Sequence, residues 1–174
     1  MIETDRLLLD KAKFSDWKAM YDNVWSQPIC AKYMNWSITT SEEDAQIRIK
    51  KTIEFQQNHD TYLVYEKASG KAIGFAGVEE AVPYIYQEMG ICLGANYMGR
   101  GLGKEIVQGL IWYCKKEFGA KEFIYFTREE NEVSNKLARS LGFVMIASEP
   151  KMDSRDGHVY QLLQYRLQLD LVDG

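Results

Sequence analysis

Asn96-Tyr97-Met98-Gly99-Arg100-Gly101-Leu102-Gly103-Lys104 is the segment that most restricts the fold of this chain. Before it, Glu88 to Leu93 reads as a buried strand. After it, Ile106, Val107, Leu110, Ile111, Cys114 and Phe118 recur on one helical face. Three glycines between a strand and a helix strip the turn of side chains. Backbone N–H groups are then free to converge on an anion at the positive end of the helix dipole. The segment is expected to bind a ligand that carries phosphate.

Two common phosphate loops do not fit. A P-loop needs glycine at position 98 and a hydroxyl residue at 105, where this chain has Met98 and Glu105. A dinucleotide fingerprint starting at Gly99 or Gly101 needs a third glycine at 104 or 106, and those positions are Lys104 and Ile106. The spacing that does fit is Met98-Gly99-Arg100-Gly101-Leu102-Gly103. It resembles the Q/R-x-x-G-x-G/A signature of the GNAT acetyltransferases, with Met98 where Gln or Arg is commonest.

Two further blocks resemble the same family. Asn131-x-x-Ser134, followed by Leu141-Gly142-Phe143, is similar to the pattern after the fifth GNAT strand. Thr4-Asp5-Arg6-Leu7-Leu8-Leu9 resembles the opening of the branch that includes the ribosomal-protein N-terminal acetyltransferases, although Asp10 stands where that branch often has Arg. The resemblance implies an α/β GNAT fold in the order β-α-α-β-β-β-α-β-α-β-β, as one domain over residues 1–174.

The periodicities agree with that order. They predict a strand over Arg6 to Asp10, and helices over Ser15 to Val24 and Ser41 to Asn58. Strands are expected over Thr61 to Lys67, Ala72 to Glu80 and Tyr84 to Ala95. The glycine loop and its helix follow, then a strand over Phe123 to Phe126 and a helix over Glu132 to Leu141 closed by Gly142. Phe143 to Met152 and Val159 to Gln168 close the chain as a hairpin, turning at Asp153 to Gly157.

The resemblance also assigns roles. Met98, Gly99, Arg100, Gly101, Leu102, Gly103 and Lys104 would wrap the pyrophosphate of acetyl-CoA, the acyl donor. Arg100 and Lys104 could add charge there or simply be solvated. Main-chain groups of Ile91, Cys92 and Leu93 would meet the pantetheine and the acetyl carbonyl, with an N–H near Leu93 as oxyanion donor. Asn131 would cap its helix and contact the pantetheine region, and Asn135 is a lesser candidate for the same surface.

Acetyl transfer to an amine also needs proton traffic. Glu88, an acid inside an apolar strand, is the candidate base, and partial burial would raise its pKa; a salt-bridge partner is the alternative. Ser134 is the candidate donor to the leaving sulfur, or a first-turn residue that satisfies helix N–H groups. One GNAT branch places a Tyr acid seven residues after the Asn and an acid on the fifth strand; here those positions are Ala138 and Phe126. Tyr97, Tyr125 or a substrate amine assisted by water could take over. Trp25, Tyr33, Trp36, Tyr84 and Tyr86 lie in segments that cover the acceptor side in such folds, either as pocket wall or as core.

The expected function is acetyl transfer from acetyl-CoA to a primary amine, on a protein N-terminus or a small molecule, by direct attack in a ternary complex. The alternative is a catalytically idle GNAT-fold module that senses acyl-CoA or binds a partner. A net charge of −4 argues against nucleic acid as a partner. No apolar run is long enough for a membrane span. His59, His158 and three scattered cysteines give no metal spacing, so no metal is expected. Reduced thiols and the missing leader suggest a cytoplasmic protein. Leu162, Leu163, Leu167 and Leu169 near the end could support a homodimer or complete the core.

Overall fold

The computed structural model describes residues 1–170. Its strands are β1 (Ile2–Glu3), β2 (Leu7–Asp10), β3 (Asp60–Glu66), β4 (Ala72–Val82), β5 (Ile85–Leu93), β6 (Glu122–Arg128), β7 (Val144–Met152) and β8 (Val159–Gln168). The helices are α1 (Trp17–Met20), α2 (Pro28–Ala31), α3 (Glu42–Gln56), α4 (Leu102–Phe118) and α5 (Glu132–Ser140). The strands form one mixed sheet in the order β1-β2-β3-β4-β5-β6-β8-β7. The expected α/β order is observed with two additions, a two-residue β1 in front and the one-turn α2 between the two expected amino-terminal helices. By packing, the chain divides into two compact units: Met1–Val78 with Met89–Leu110, and Glu79–Glu88 with the chain from Ile111 onward.

In the first unit β1, β2, β3 and the start of β4 pair antiparallel, with Leu7 opposite Glu66 and Thr61 opposite Gly77. Met20, Val24, Trp25, Ala45, Ile49 and Leu63 form one buried cluster. α3 begins as its sequence demands. Ser41 accepts a hydrogen bond from the Asp44 N–H at 3.1 Å, and Glu42, Glu43 and Asp44 sit at the positive end of the helix.

The helix expected over residues 15–24 is broken into three pieces. Phe14–Asp16 is a 3₁₀ turn, α1 follows, and Tyr21–Trp25 is a π turn. The wider turn brings both Val24 and Trp25 inside with Met20, where an unbroken α-helix would turn one of them away. Ser26 closes it, its N–H and hydroxyl both donating to the Tyr21 carbonyl.

In the second unit β5 pairs parallel with β6, Tyr86 opposite Phe123. β8 is flanked by β6 and β7, so β7 is the edge, and it leaves Val144, Met145 and Ile146 exposed. Leu163 on β8 is buried. α5 ends at Gly142 with φ of +87°, as its sequence predicts. β6 runs two residues past its apolar stretch to include Arg128, which is 4% exposed and ion-paired with buried Asp153 at 3.0 Å. Among the described residues no helix is long and apolar enough to cross a membrane.

Candidate functional site

In the first unit, β5 passes through Gly90 with φ of +99° before reaching Ile91, Cys92 and Leu93. The Leu93 carbonyl accepts from the Cys30 thiol at 3.3 Å, and the next N–H, of Gly94, donates to the Ile73 carbonyl at 2.7 Å. The three cysteines are buried and unbridged. The chain then makes a 3₁₀ turn over Ala95–Tyr97 and extends at Met98. Gly99 and Gly101 follow with φ of +75° and +76°, a region where a side chain is strained. Leu102 is buried and starts α4, so Gly103 and Lys104 lie in its first turn. A Cβ at Gly99 would meet nothing within 4 Å. An open turn without side chains, ahead of a 17-residue helix, fits a pyrophosphate at a helix N-terminus.

The amino-terminal block holds this turn. The Arg6 guanidinium donates to the Arg100 carbonyl at 2.9 Å, and the Arg6 backbone N–H and side-chain Nε each donate to the Glu105 carboxylate at 2.7 Å. The Thr4 hydroxyl adds a bond to Glu105 at 2.6 Å. Burial raises the Glu105 pKa, but the Thr4 and Arg6 bonds outweigh it and hold the carboxyl below its usual range. Thr4 and Arg6 are thus positioning residues for the loop. Their motif was legible in the sequence; their contact with Glu105, about a hundred residues away, was not. The Arg100 side chain pairs with Glu66 at 3.0 Å and lies over the Tyr97 ring, while Lys104 is exposed.

In the second unit, Asn131 caps α5, its Oδ1 accepting from the Ser134 N–H at 3.3 Å. The Ser134 hydroxyl shares a 2.7 Å hydrogen bond with the Tyr125 hydroxyl. Tyr125 is buried on β6. Burial first, and then the charge of half-buried Glu88, push its pKa up to about 12 against the opposing effect of the Ser134 bond. The phenol therefore stays protonated at neutral pH. Asn135 is 4% exposed; its amide donates to the carbonyls of Arg128, Glu129 and Asn131 and its oxygen accepts from Tyr165. Those bonds tie the β6–α5 turn together and commit the side chain within the fold. Ala138 is fully buried and offers no hydroxyl.

The five aromatic candidates separate. Tyr33 is half-buried, with the Lys32 ammonium 5.0 Å from its ring centre. Tyr86 is buried and stacks on Phe118, and Tyr84 is half exposed at the β4–β5 turn with φ of +67°. Trp25 and Trp36 instead come together on the wall of a cavity of about 330 Å³ in the first unit, both rings beside the Arg48 guanidinium. Nothing in the sequence singled out Arg48, one basic residue among several on α3. Among the described residues there is no cluster of metal-ligating side chains.

Residues 6–144 match the model of the acetyltransferase (GNAT) domain. The chain belongs to the GNAT acetyltransferase family. A curated family relative, the uncharacterised N-acetyltransferase p20 of Bacillus licheniformis, is 32% identical over 149 residues, which is 80% of each chain. Two solved GNAT structures share the fold at lower identity. The acetyltransferase from Salmonella typhimurium that modifies the N-terminal serine of ribosomal protein L7/L12 superposes with a TM-score of 0.77 at 19% identity, covering 96% of this chain and 97% of its own. The microcin C7 self-immunity acetyltransferase MccE, solved with acetyl-CoA and AMP, has a TM-score of 0.79 at 21% identity, covering 95% and 94%.

Proposed function

We propose that this protein transfers an acetyl group from acetyl-CoA to a primary amine by direct attack in a ternary complex. The observation that carries the reading is the Gly99–Gly101 turn at the start of α4, a main-chain cradle braced by Arg6 and Glu105. Family membership and the acetyl-CoA bound by MccE support the same donor. Such a donor also supports a cytoplasmic setting.

Acetyl-CoA supplies an activated thioester; this chain's residues bind it and move protons around it. The loop holds phosphate with main-chain N–H groups. An N–H near Leu93 faces the charge that develops on the carbonyl oxygen. Glu88 accepts a proton from the attacking amine, directly or through water. Ser134 donates to the departing sulfur and takes a proton from the Tyr125 phenol beside it, which is reprotonated through water as Glu88 gives up the proton taken from the amine. This pair fills the acid role that Ala138 cannot.

The test is calorimetric titration with acetyl-CoA, repeated on Gly101→Glu, together with thiol release in the presence of mixed amines. Micromolar binding in the parent, lost in the variant, with amine-dependent thiol release is the expected result. Binding without thiol release would instead support an idle acyl-CoA-sensing module, the reading that Ala138 favours. No binding in the parent would end both.

A further inference from the structure

Arg48 is a half-buried cation in an apolar place, with no carboxylate beside it among the described residues. Its guanidinium lies 4.8 Å from the Trp25 ring centre and 4.6 Å from that of Trp36. One N–H donates to the Thr39 hydroxyl at 3.0 Å. Thr39 is itself fixed, 8% exposed, with its N–H donating to the Trp25 carbonyl at 2.7 Å. No carboxylate among the described residues pairs with Arg48. Burial pulls its pKa down to about 10, so it remains charged at neutral pH. A half-buried charge among apolar rings gains from pairing, because stacking on two rings does not return all that desolvation costs.

The cavity beside it has about 330 Å³ and a mostly apolar wall that includes Met20, Leu63, Phe75, Met89 and Gly90, and the exposed Lys51 also lines it. That is the small end of the range for ligand pockets. The same wall carries Thr61, whose Oγ1 is buried and has no hydrogen-bond partner. Gly90 leads directly into Ile91–Leu93, the strand residues assigned above to the acetyl carbonyl.

We propose that this cavity is the acceptor site and that it takes a small amine with an apolar body and a carboxylate, the carboxylate pairing with Arg48 between Trp25 and Trp36. An apolar amino acid has that chemistry. A single guanidinium with its remaining N–H groups in a planar fork suits one carboxylate. The inference rests on the acetyl-transfer reading for its amine, and on Arg48 and the cavity for its carboxylate.

The test pairs amino acids with their decarboxylated counterparts: L-phenylalanine against phenethylamine, L-leucine against isopentylamine, L-tryptophan against tryptamine. Binding is followed by tryptophan fluorescence and calorimetry in the parent, in Arg48→Gln and in Arg48→Lys. At least one acid is expected to bind the parent about tenfold or more tighter than its amine, as a charged hydrogen-bonded pair warrants. Arg48→Gln should erase that preference, and Arg48→Lys should keep part of it without the planar fork. Equal binding of acid and amine in the parent, a preference that survives in Arg48→Gln, or no binding by any pair would overturn the proposal. The parent comparison stands even if a variant fails to fold. Thiol release from acetyl-CoA separates the two readings. Tighter binding of the acid without release keeps the carboxylate site and ends the enzyme reading. Release that is equal with acid and amine keeps the enzyme and ends the carboxylate site.

Discussion

The Tyr125 and Ser134 hydroxyls lie 2.7 Å apart, one on β6 and the other in the first turn of α5. Asn131 fixes the turn between them by capping α5, and burial keeps the Tyr125 phenol protonated. A pair built this way can hand on a proton without either partner ionising at neutral pH.

Tyr125→Phe tests that pair. A positioned acid typically contributes a hundredfold or more. Here Ser134 remains, so a fall in kcat of about tenfold to a hundredfold is expected, with acetyl-CoA affinity within about twofold of the parent. Steady-state kinetics and calorimetry check it; an unchanged kcat would leave Tyr125 as core packing alone.

Glu88→Gln should lower kcat more than acetyl-CoA affinity, because the carboxylate is assigned to the amine and not to the donor. The measurement is the pH profile of kcat/KM. Identical profiles for variant and parent would remove Glu88 as the base.

Arg6→Ala should loosen the glycine turn. The Arg6–Glu105 pair is half exposed on the arginine side, so its own worth is on the order of 1 kcal/mol or less. Acetyl-CoA affinity is therefore expected to fall only a few-fold. Gly101→Ala forces a side chain into a left-handed conformation that costs about 1–2 kcal/mol. It should weaken binding more than Arg6→Ala does. The reverse ranking by calorimetry would mean that the tether, and not the turn, organises the loop.

Asp153 supplies a pH dependence. It is 3% exposed, and bonds from Arg155 first and Arg128 next hold its pKa well below the ordinary carboxylate range. A depressed folded-state pKa stabilises the fold above the unfolded value of about 4, and that contribution is lost as pH falls toward the folded value. Thermal melts should show Tm falling below pH of about 4. Asp153→Asn should lower Tm at neutral pH and flatten that acid limb. An unchanged slope would assign acid sensitivity to other carboxylates.

Local rules in the sequence determined much of this protein. Ser41 and the three acids behind it start α3, Asn131 caps α5, Gly142 ends it, and alternating apolar residues draw the strands, since each depends on residues within a turn of one another. The glycine spacing before α4 was equally legible because it is a backbone requirement. What the tertiary structure alone decided involves residues far apart in the chain. The π turn at Tyr21–Trp25 follows from what the core needs of Val24 and Trp25. Arg128 joins β6 because Asp153 neutralises it, Arg6 reaches Glu105, and Tyr125 meets Ser134 across a strand and a turn. Arg48 is the plainest case. On α3 it reads as one more solvated base, and only the packing of Trp25, Trp36 and Thr39 around it makes it a half-buried cation on the wall of a cavity. Periodicity reports which face of an element is apolar, but desolvation and pairing depend on neighbours that only folding brings together.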